Sequence, residues 1–240
     1  MFYPRTISLL TLAFSMYGAV PTFFSRRAFH SKRPSGSGKV IYLTFDDGPN
    51  AEYTGKLLDL LRLYHIHATF FSVAEFAEEN PELIRRIREE GHLIGMHSCR
   101  HQDAWINLRH DTQLDFDRSL QIFDELGVHI GFYRPPWGKI NLFSPSNVQR
   151  NHLHMVYWDV MAEDWRANTT SGTIARKLLR RAHENDIVCL HDGRGRNGAP
   201  ARTIEALEKV LPIWIEQGYS FATLDELYEN EDDETDGPTA

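Results

Sequence analysis

The sequence predicts an α/β domain built as a distorted (β/α) barrel of about seven parallel strands. Three observations predict it. Short apolar runs alternate with longer amphipathic stretches in repeated β-then-α order, which calls for parallel strands joined by right-handed crossovers. About seven such units fit within one domain of this 240-residue chain, enough to curl toward closure, with an open doubly wound sheet as the alternative. The polar residues with chemical potential fall at or just past the ends of the apolar runs, the rim where βα barrels build their sites.

Taken in order, Val40–Phe45 (VIYLTF) is strand-like and Gly48–Pro49 breaks it. A helix follows over Tyr53–Tyr64, with Leu57, Leu58, Leu60, Leu61 and Tyr64 on one face. Thr69–Val73 reads as the second strand. Asn80 and Pro81 then read as N-cap and first residue of a helix that runs to Glu90 and stops at Gly91. Leu93–Met96 is the third strand, and a long helix over about Thr112–Leu126 ends at Gly127. Phe132–Arg134 and Met155–Trp158 are the fourth and fifth strands. Thr170 or Ser171 caps a helix reaching roughly to His183, and Ile187–Leu190 is the sixth strand. Thr203–Gln217 is helical around Pro212, and Ser220–Thr223 is the last strand.

The two ends differ from this body. The uncharged run Ile7–Phe24 (ISLLTLAFSMYGAVPTFF) would reach roughly 27 Å as a helix, marginal for a bilayer core. Residues 1–24 therefore read as a signal peptide or membrane anchor, with a buried N-terminal helix as the alternative. No clean cleavage site follows, because Tyr17 spoils a cut after Ala19, and Arg26 and Arg27 compete with Arg5 in setting orientation. Residues 25–38 are basic and rich in Gly, Ser and Pro, and read as a linker. The catalytic domain is expected over 39–228, and 229–240 as a disordered acidic tail. The location implied is secreted or membrane-anchored facing the exterior, with a cytoplasmic placement left open. A net charge of −7 and a mildly acidic body argue against nucleic-acid binding. Cys99 and Cys189 are too few for a disulfide framework and read first as free thiols or small core residues.

The rim residues suggest metal chemistry. His97 and His101 are four apart in HSCRH, a spacing that lets one helical turn aim both at one ion. Twelve histidines make such a pair plausible by chance, so it needs a carboxylate partner, from Asp46 or Asp47. Adjacent residues leaving a strand point in opposite directions, so one Asp can bind metal while the other faces a substrate water. Read alone, DDGP is equally a turn. Two His and one Asp fit zinc with an open position; Co²⁺, Mn²⁺ and Ni²⁺ are also admitted.

Here the sequence resembles the polysaccharide deacetylases, the NodB-homology family of carbohydrate esterases (family 4). TFDDGP (44–49), HSCRH (97–101), RPPWG (134–138), AEDW (162–165) and IVCLHD (187–192) match its five motifs in order. The resemblance implies that Asp46 is the general base and that Asp47, His97 and His101 hold the metal. It implies that Arg134 orients the base, that His191 is the general acid, and that Asp164 holds the His191 imidazole. Trp137, through its backbone N–H, and Pro135 would contact substrate, and Trp165 and Leu190 would wall the pocket for the acetyl methyl. The reaction implied is N-deacetylation of N-acetylglucosamine-type residues of a cell-envelope or chitin-like glycan. Independently of the resemblance, the chain is expected to be a monomer, with membrane association through residues 1–24. An O-acetyl esterase acting on acetylated xylan, or a catalytically silent carbohydrate-binding relative, are the competing readings.

The pattern departs in places. Met161 stands where the fourth motif usually opens with Asp, and Asp159 lies two residues earlier on the same side of an extended strand. Cys99 between the two histidines is uncommon, and reads as a packing residue before a third ligand. Trp105 divides evenly between a sugar-stacking surface and core packing. His92, His110, His152, His154 and His183 read as ordinary surface or helix-end residues.

Overall fold

The computed structural model describes residues 4–36 and 38–235. Its centre is β1 (Val40–Asp46), in which every residue after Val40 is buried. A strand covered on both faces reads as a near-continuous apolar run, which is why VIYLTF lacks polar alternation. β1 pairs in parallel with β2 (Thr69–Ser72) on one side and β7 (Asp186–His191) on the other, and Asp46 stands opposite Phe71 and His191. The sheet runs β5–β4–β3–β2–β1–β7–β6, adding β3 (Leu93–Met96), β4 (Phe132–Tyr133), β5 (His154–Met155) and β6 (Val160–Met161). β8 (Ser220–Phe221) pairs with the start of β1. Every pairing is parallel. The path ends at β5 and β6, which pair with their neighbours but not with each other, so the barrel is incomplete, as the distorted (β/α) barrel expected from the sequence.

The period of two along each strand separates two cores. Ile41, Leu43 and Phe45 of β1 join Phe70, Val188, Leu190 and the helix residues Leu57, Leu61, Leu207 and Trp214 in the outer cluster. Tyr42 points the other way and packs with Phe71, Phe132, Tyr157 and Ile187, closed from below by Leu224 and Leu227. Continuing along the Tyr42 face come Thr44 and then Asp46. The barrel interior is therefore apolar at its base and polar at its C-terminal rim.

The crossovers are helical: α3 (Thr54–Leu63), α4 (Ala74–Glu79), α5 (Pro81–Glu89), α6 (Arg109–Glu125), α7 (Ser144–Arg150), α8 (Ser171–Arg181) and α9 (Ala199–Glu216). Thr170 caps α8, its hydroxyl accepting from the Thr173 N–H at 3.2 Å. Short α4, α7 and the strand β6 are absent from the sequence-based layout. Each has fewer than eight residues, too few to display a period. The fifth strand expected at Met155–Trp158 ends at Met155, because Tyr157 and Trp158 turn toward the N-terminal segment instead.

That segment is the largest departure. α1 (Pro4–Phe14), a π-helical stretch Ser15–Ala19 and α2 (Val20–Lys32) carry helix through most of the expected linker. The physical reason is docking. Phe29 is buried against the Tyr157 ring at 5.6 Å, the Tyr157 hydroxyl donates to Ser25 Oγ at 2.9 Å, and Arg33 pairs with Asp159 at 2.6 Å. No helix among the described residues is long and apolar enough to cross a membrane. At the other end, α10 (Leu224–Thr235) continues beyond Glu229. Its acidic first turn suits a helix N-terminus, and the Leu224 N–H donates to Thr69 Oγ1 at 3.1 Å. The rest of the expected acidic tail, 236–240, and residues 1–3 lie outside the described residues.

Candidate active site

Four loops converge on the rim. After β1, Asp47 adopts φ 72°, a left-handed conformation that Asp tolerates better than most residues, and a cis Gly48–Pro49 bond follows. Two glycines let this turn sit against the loop after β7. A Cβ on Gly48 would meet the Asp192 carboxylate at 2.4 Å, and one on Gly193 would meet the Asp47 carbonyl oxygen at 1.7 Å. After β3, His97 and His101 are presented by a tight loop rather than the helical turn expected, with Ser98 at φ 68° and His101 at φ 56°. The Ser98 hydroxyl accepts from the His101 N–H at 2.8 Å. Carbonyls of Ser98 and Cys99 accept from the first N–H groups of α4 at 3.0 and 3.1 Å, and Asp115 of α6 accepts from the Cys99 N–H at 3.0 Å.

This loop brings His97 Nε2 to 3.2 Å and His101 Nε2 to 2.9 Å from Asp47 Oδ1. The His97 Nδ1–H donates to the Arg134 carbonyl oxygen at 2.7 Å, which leaves a lone pair on Nε2 facing a carboxylate oxygen. Burial, then the neighbouring His97 imidazole, pushes the His101 imidazole below its ordinary value, although Asp47 opposes this. Burial acts to raise the Asp47 carboxyl, but His101 and His97 hold it well below the usual carboxylate range. Asp47 Oδ1 and His101 Nδ1 are buried without a conventional hydrogen-bond partner among the described residues. An ionised carboxylate and two imidazole nitrogens within 4.8 Å of one another thus fit a divalent cation between them.

Beside this triad lies Asp46. Arg134 is fully buried, donating from Nη1 to Asp46 Oδ1 at 2.8 Å and to Thr44 Oγ1 at 2.6 Å, and from Nη2 to the Tyr157 carbonyl at 2.9 Å. Its guanidinium stacks on Phe71, 4.1 Å from the ring centre. The Cys189 thiol donates to Asp46 Oδ2 at 3.3 Å; burial, then the Asp46 charge, hold that thiol well above its usual pKa, so it stays protonated. Across the β1–β7 ladder, His191 Nδ1–H donates to Asp164 Oδ1 at 2.9 Å. Asp164 is fully buried, and its Oδ2 accepts from the His191 N–H at 2.9 Å and from Thr203 Oγ1 at 2.8 Å. Burial disfavours the imidazolium, but Asp164, with Asp47 and Asp46, more than offsets it and raises His191 to about 9.

A cleft of about 680 Å³ opens over these groups, bounded by Trp137, Trp158, Met161 and Trp165 among others. Trp137 (53% exposed) stands edge-on to His101 with ring centres 4.2 Å apart, and Trp165 is 41% exposed. Two expected contact residues are placed elsewhere. Leu190 is fully buried in the outer cluster, because it alternates with Cys189 and His191 along β7. Pro135 is buried and turns the chain, its carbonyl accepting from the Gly138 N–H at 2.8 Å. Met161 lines the cleft, and Asp159 does not replace the missing carboxylate. Asp159 sits at the N-terminal end of β6, bound to Arg33 and the Ile187 N–H.

Other residues are settled by packing. Trp105 lies under the N-terminal helix, donating from Nε1 to Thr22 Oγ1 at 3.2 Å, with Phe14 edge-on at 5.7 Å. His92 is not a surface residue: it is buried, accepts from the Ala68 N–H at 3.1 Å, and is pushed down to about 4 by burial and then by His67. His110, His152, His154 and His183 are exposed, as expected. Cys99 and Cys189 are buried free thiols. The supports that sequence reasoning missed are Thr44, Cys189 and Thr203. The first two stand two residues before Asp46 and His191 on the same strand face, a signal the strand period does carry. Thr203 lies on α9, 39 residues from Asp164, and nothing local announces it.

This architecture of an incomplete parallel barrel, with two aspartates, three histidines and a buried arginine gathered on its rim, defines a hydrolase class with known members. The family model for polysaccharide deacetylases matches residues 33–156. A Bacillus cereus peptidoglycan-N-acetylglucosamine deacetylase is 35% identical over 191 residues, covering 79% of this chain and 88% of the relative. The Bacillus subtilis peptidoglycan-N-acetylmuramic acid deacetylase PdaA is 32% identical over 193 residues, covering 79% and 71%. A solved peptidoglycan N-acetylglucosamine deacetylase, in complex with a naphthalenyl N-oxidanyl-benzamide, superposes with a TM-score of 0.77 at 28% identity, covering 83% of this chain and 95% of that one. The chain belongs to the polysaccharide deacetylase family and is an enzyme of that deacetylase type.

Proposed function

We propose that this chain removes N-acetyl groups from N-acetylglucosamine-type residues of a cell-envelope glycan of the peptidoglycan kind, outside the cytoplasm, with a divalent cation held by Asp47, His97 and His101. The observation that carries the reading is the pairing of Asp46 and His191 across one rung of the β1–β7 ladder, each fixed by its own buried partner. Amide hydrolysis needs a proton removed from water and a proton given to nitrogen, because an amide anion is a poor leaving group. Asp46, its Oδ1 tied to Arg134 and its Oδ2 touched, among the described residues, by a weak thiol donor alone, is the base that takes the water proton. His191 has Nδ1 committed to Asp164, so Nε2 carries the proton delivered to the departing sugar amine. A cation bound by the triad supplies Lewis-acid polarisation and positive charge beside Asp46. Zinc suits two imidazoles and one carboxylate; Co²⁺, Mn²⁺ and Ni²⁺ suit them too. Trp137 and Trp165 offer apolar ring faces to the sugar.

The test is acetate release from peptidoglycan fragments and N-acetylchitooligosaccharides by the wild type and by Asp46→Asn. The variant should retain bound metal and lose nearly all turnover. Undiminished acetate release by the variant removes Asp46 from the role of base.

A further inference from the structure

One wall of the cleft is cationic and uses none of its charge internally. Arg166, from the loop between β6 and α8, and Arg194 and Arg196, from the loop between β7 and α9, line the same space as Asp46, Asp47 and His191. None of the three forms an ion pair among the described residues. Of the acids nearest in sequence, Asp164 is taken by His191 and Thr203, Asp192 by the Thr54 hydroxyl, and Glu163 by Lys177 and by Arg181 at 3.4 Å. Asp46 and Asp47 are likewise committed, to Arg134 and to the two imidazoles. In a chain of net charge −7, three uncompensated guanidiniums at the reaction centre are a local reversal of sign.

The wall is also built rather than loose. Arg202 of α9 donates from Nη2 to the carbonyls of Arg166 at 2.9 Å and Arg196 at 3.0 Å, and from Nη1 to that of Asn197, tying the two loops together. The Arg196 N–H donates to the Trp165 carbonyl at 3.3 Å. Gly195 between the cations has φ 133°, and a Cβ there would meet Ala199 Cβ at 2.3 Å. Arg194 lies over the Phe76 ring at 4.9 Å and Arg166 over Trp165 at 5.3 Å. Stacking holds each planar guanidinium while leaving in-plane donors free, the arrangement that receives a carboxylate in bidentate fashion.

We propose that Arg166, Arg194 and Arg196 form a carboxylate-recognising subsite, so that the preferred substrate is an N-acetylated glycan bearing an acid on, or next to, the sugar that loses its acetyl group. The proposal rests on the deacetylase reading of the same cleft and deepens it. The acid could be the lactyl carboxylate of a muramic acid residue or the carboxylate of a uronic acid; both present the same group to the arginines.

Four substrates separate the cases: a peptidoglycan oligosaccharide, the same oligosaccharide with its carboxyls reduced to alcohols, an N-acetylated glycan containing uronate, and neutral N-acetylchitotetraose. Acetate release is followed for the full-length, metal-loaded protein and for Arg166→Gln, Arg194→Gln and Arg196→Gln. The ratio of kcat/KM on an acidic glycan to that on chitotetraose should fall about tenfold or more in a variant that loses a charge-assisted contact, mainly through KM. Carboxyl reduction should lower the wild-type rate by a similar factor, which needs no mutant to fold. Whichever acidic glycan shows the larger loss identifies the source of the carboxylate. Unchanged ratios in all three variants, with an unchanged rate on the reduced oligosaccharide, overturn the subsite and leave deacetylation standing. Acetate from none of the four overturns the deacetylase reading itself.

Discussion

Replacing Asp164 with Asn keeps the volume of a fully buried side chain and removes the charge that holds His191 protonated. Three donors converge on this carboxylate: the Thr203 hydroxyl, the His191 N–H and the His191 Nδ1–H. The Asn carbonyl oxygen can keep the first two on the Oδ2 side. Its NH₂ group then faces Nδ1, which must become an acceptor, so the ring turns neutral with its proton on Nε2. Burial depresses a histidine, so the raised value of about 9 falls once Asp164 is gone and Asp47 and Asp46 are left to oppose burial. The rise of the wild-type imidazole from 6.5 to about 9 corresponds to roughly 3 kcal/mol. His191 is a base whose folded pKa exceeds its unfolded one. Its stabilisation is therefore complete below pH 6.5 and is lost as pH rises through about 9. Urea unfolding should show the wild type exceeding Asp164→Asn most near pH 6, with the gap narrowing toward pH 9.5. In metal-free protein, the NMR titration of His191 should move down from near pH 9. Turnover at neutral pH should fall about 10²- to 10⁴-fold, the span of a lost general acid. An unmoved titration, or a stability gap independent of pH, would refute the reasoning.

Arg134→Met removes a guanidinium with three polar partners and strands Asp46 as a buried charge, a loss of about 3–5 kcal/mol in thermal or urea unfolding. A variant within about 1 kcal/mol of the wild type would mean that Asp46 is hydrated rather than paired. Phe29→Ala tests whether the N-terminal helix belongs to the folded body. Removing a ring buried against Tyr157 should cost about 3 kcal/mol and open the backbone near Arg33 to limited proteolysis, whereas an unchanged urea midpoint would show that the helix is not docked.

Much of the site was legible because strand period and strand order are local properties. Asp46 falls in phase with Tyr42 and Thr44, so its inward direction follows from the residues of β1 alone. The cluster of Asp47, His97 and His101 was legible as residue types but for a different geometric reason. The four-residue spacing of His97 and His101 suggests a helical turn, whereas left-handed backbone at Ser98 and His101 and pinning by α4 and α6 produce the convergence. Leu190 shows the limit of transferring a motif position. The alternation along β7 that points His191 into the cleft points its neighbour into the outer core.

By itself, the sequence determined the βα order, the rim on which polar residues collect, and which aspartate and histidine side chains gather there. Each depends on periodicity or on short motifs within one segment. Tertiary structure alone decided the rest. It decided that residues 25–32 are helix rather than linker, since Tyr157, Asp159 and the Asn185 carbonyl, all more than 120 residues away, hold Phe29 and Arg33. It decided that Trp105 is covered by that helix, and that His92 is neutral and buried. It set Arg166, Arg194 and Arg196 on one wall, through an Arg202 on α9 that bonds to carbonyls on two separate loops. These depend on contacts between distant segments, whose energy is fixed by proximity in space and leaves no period in the chain.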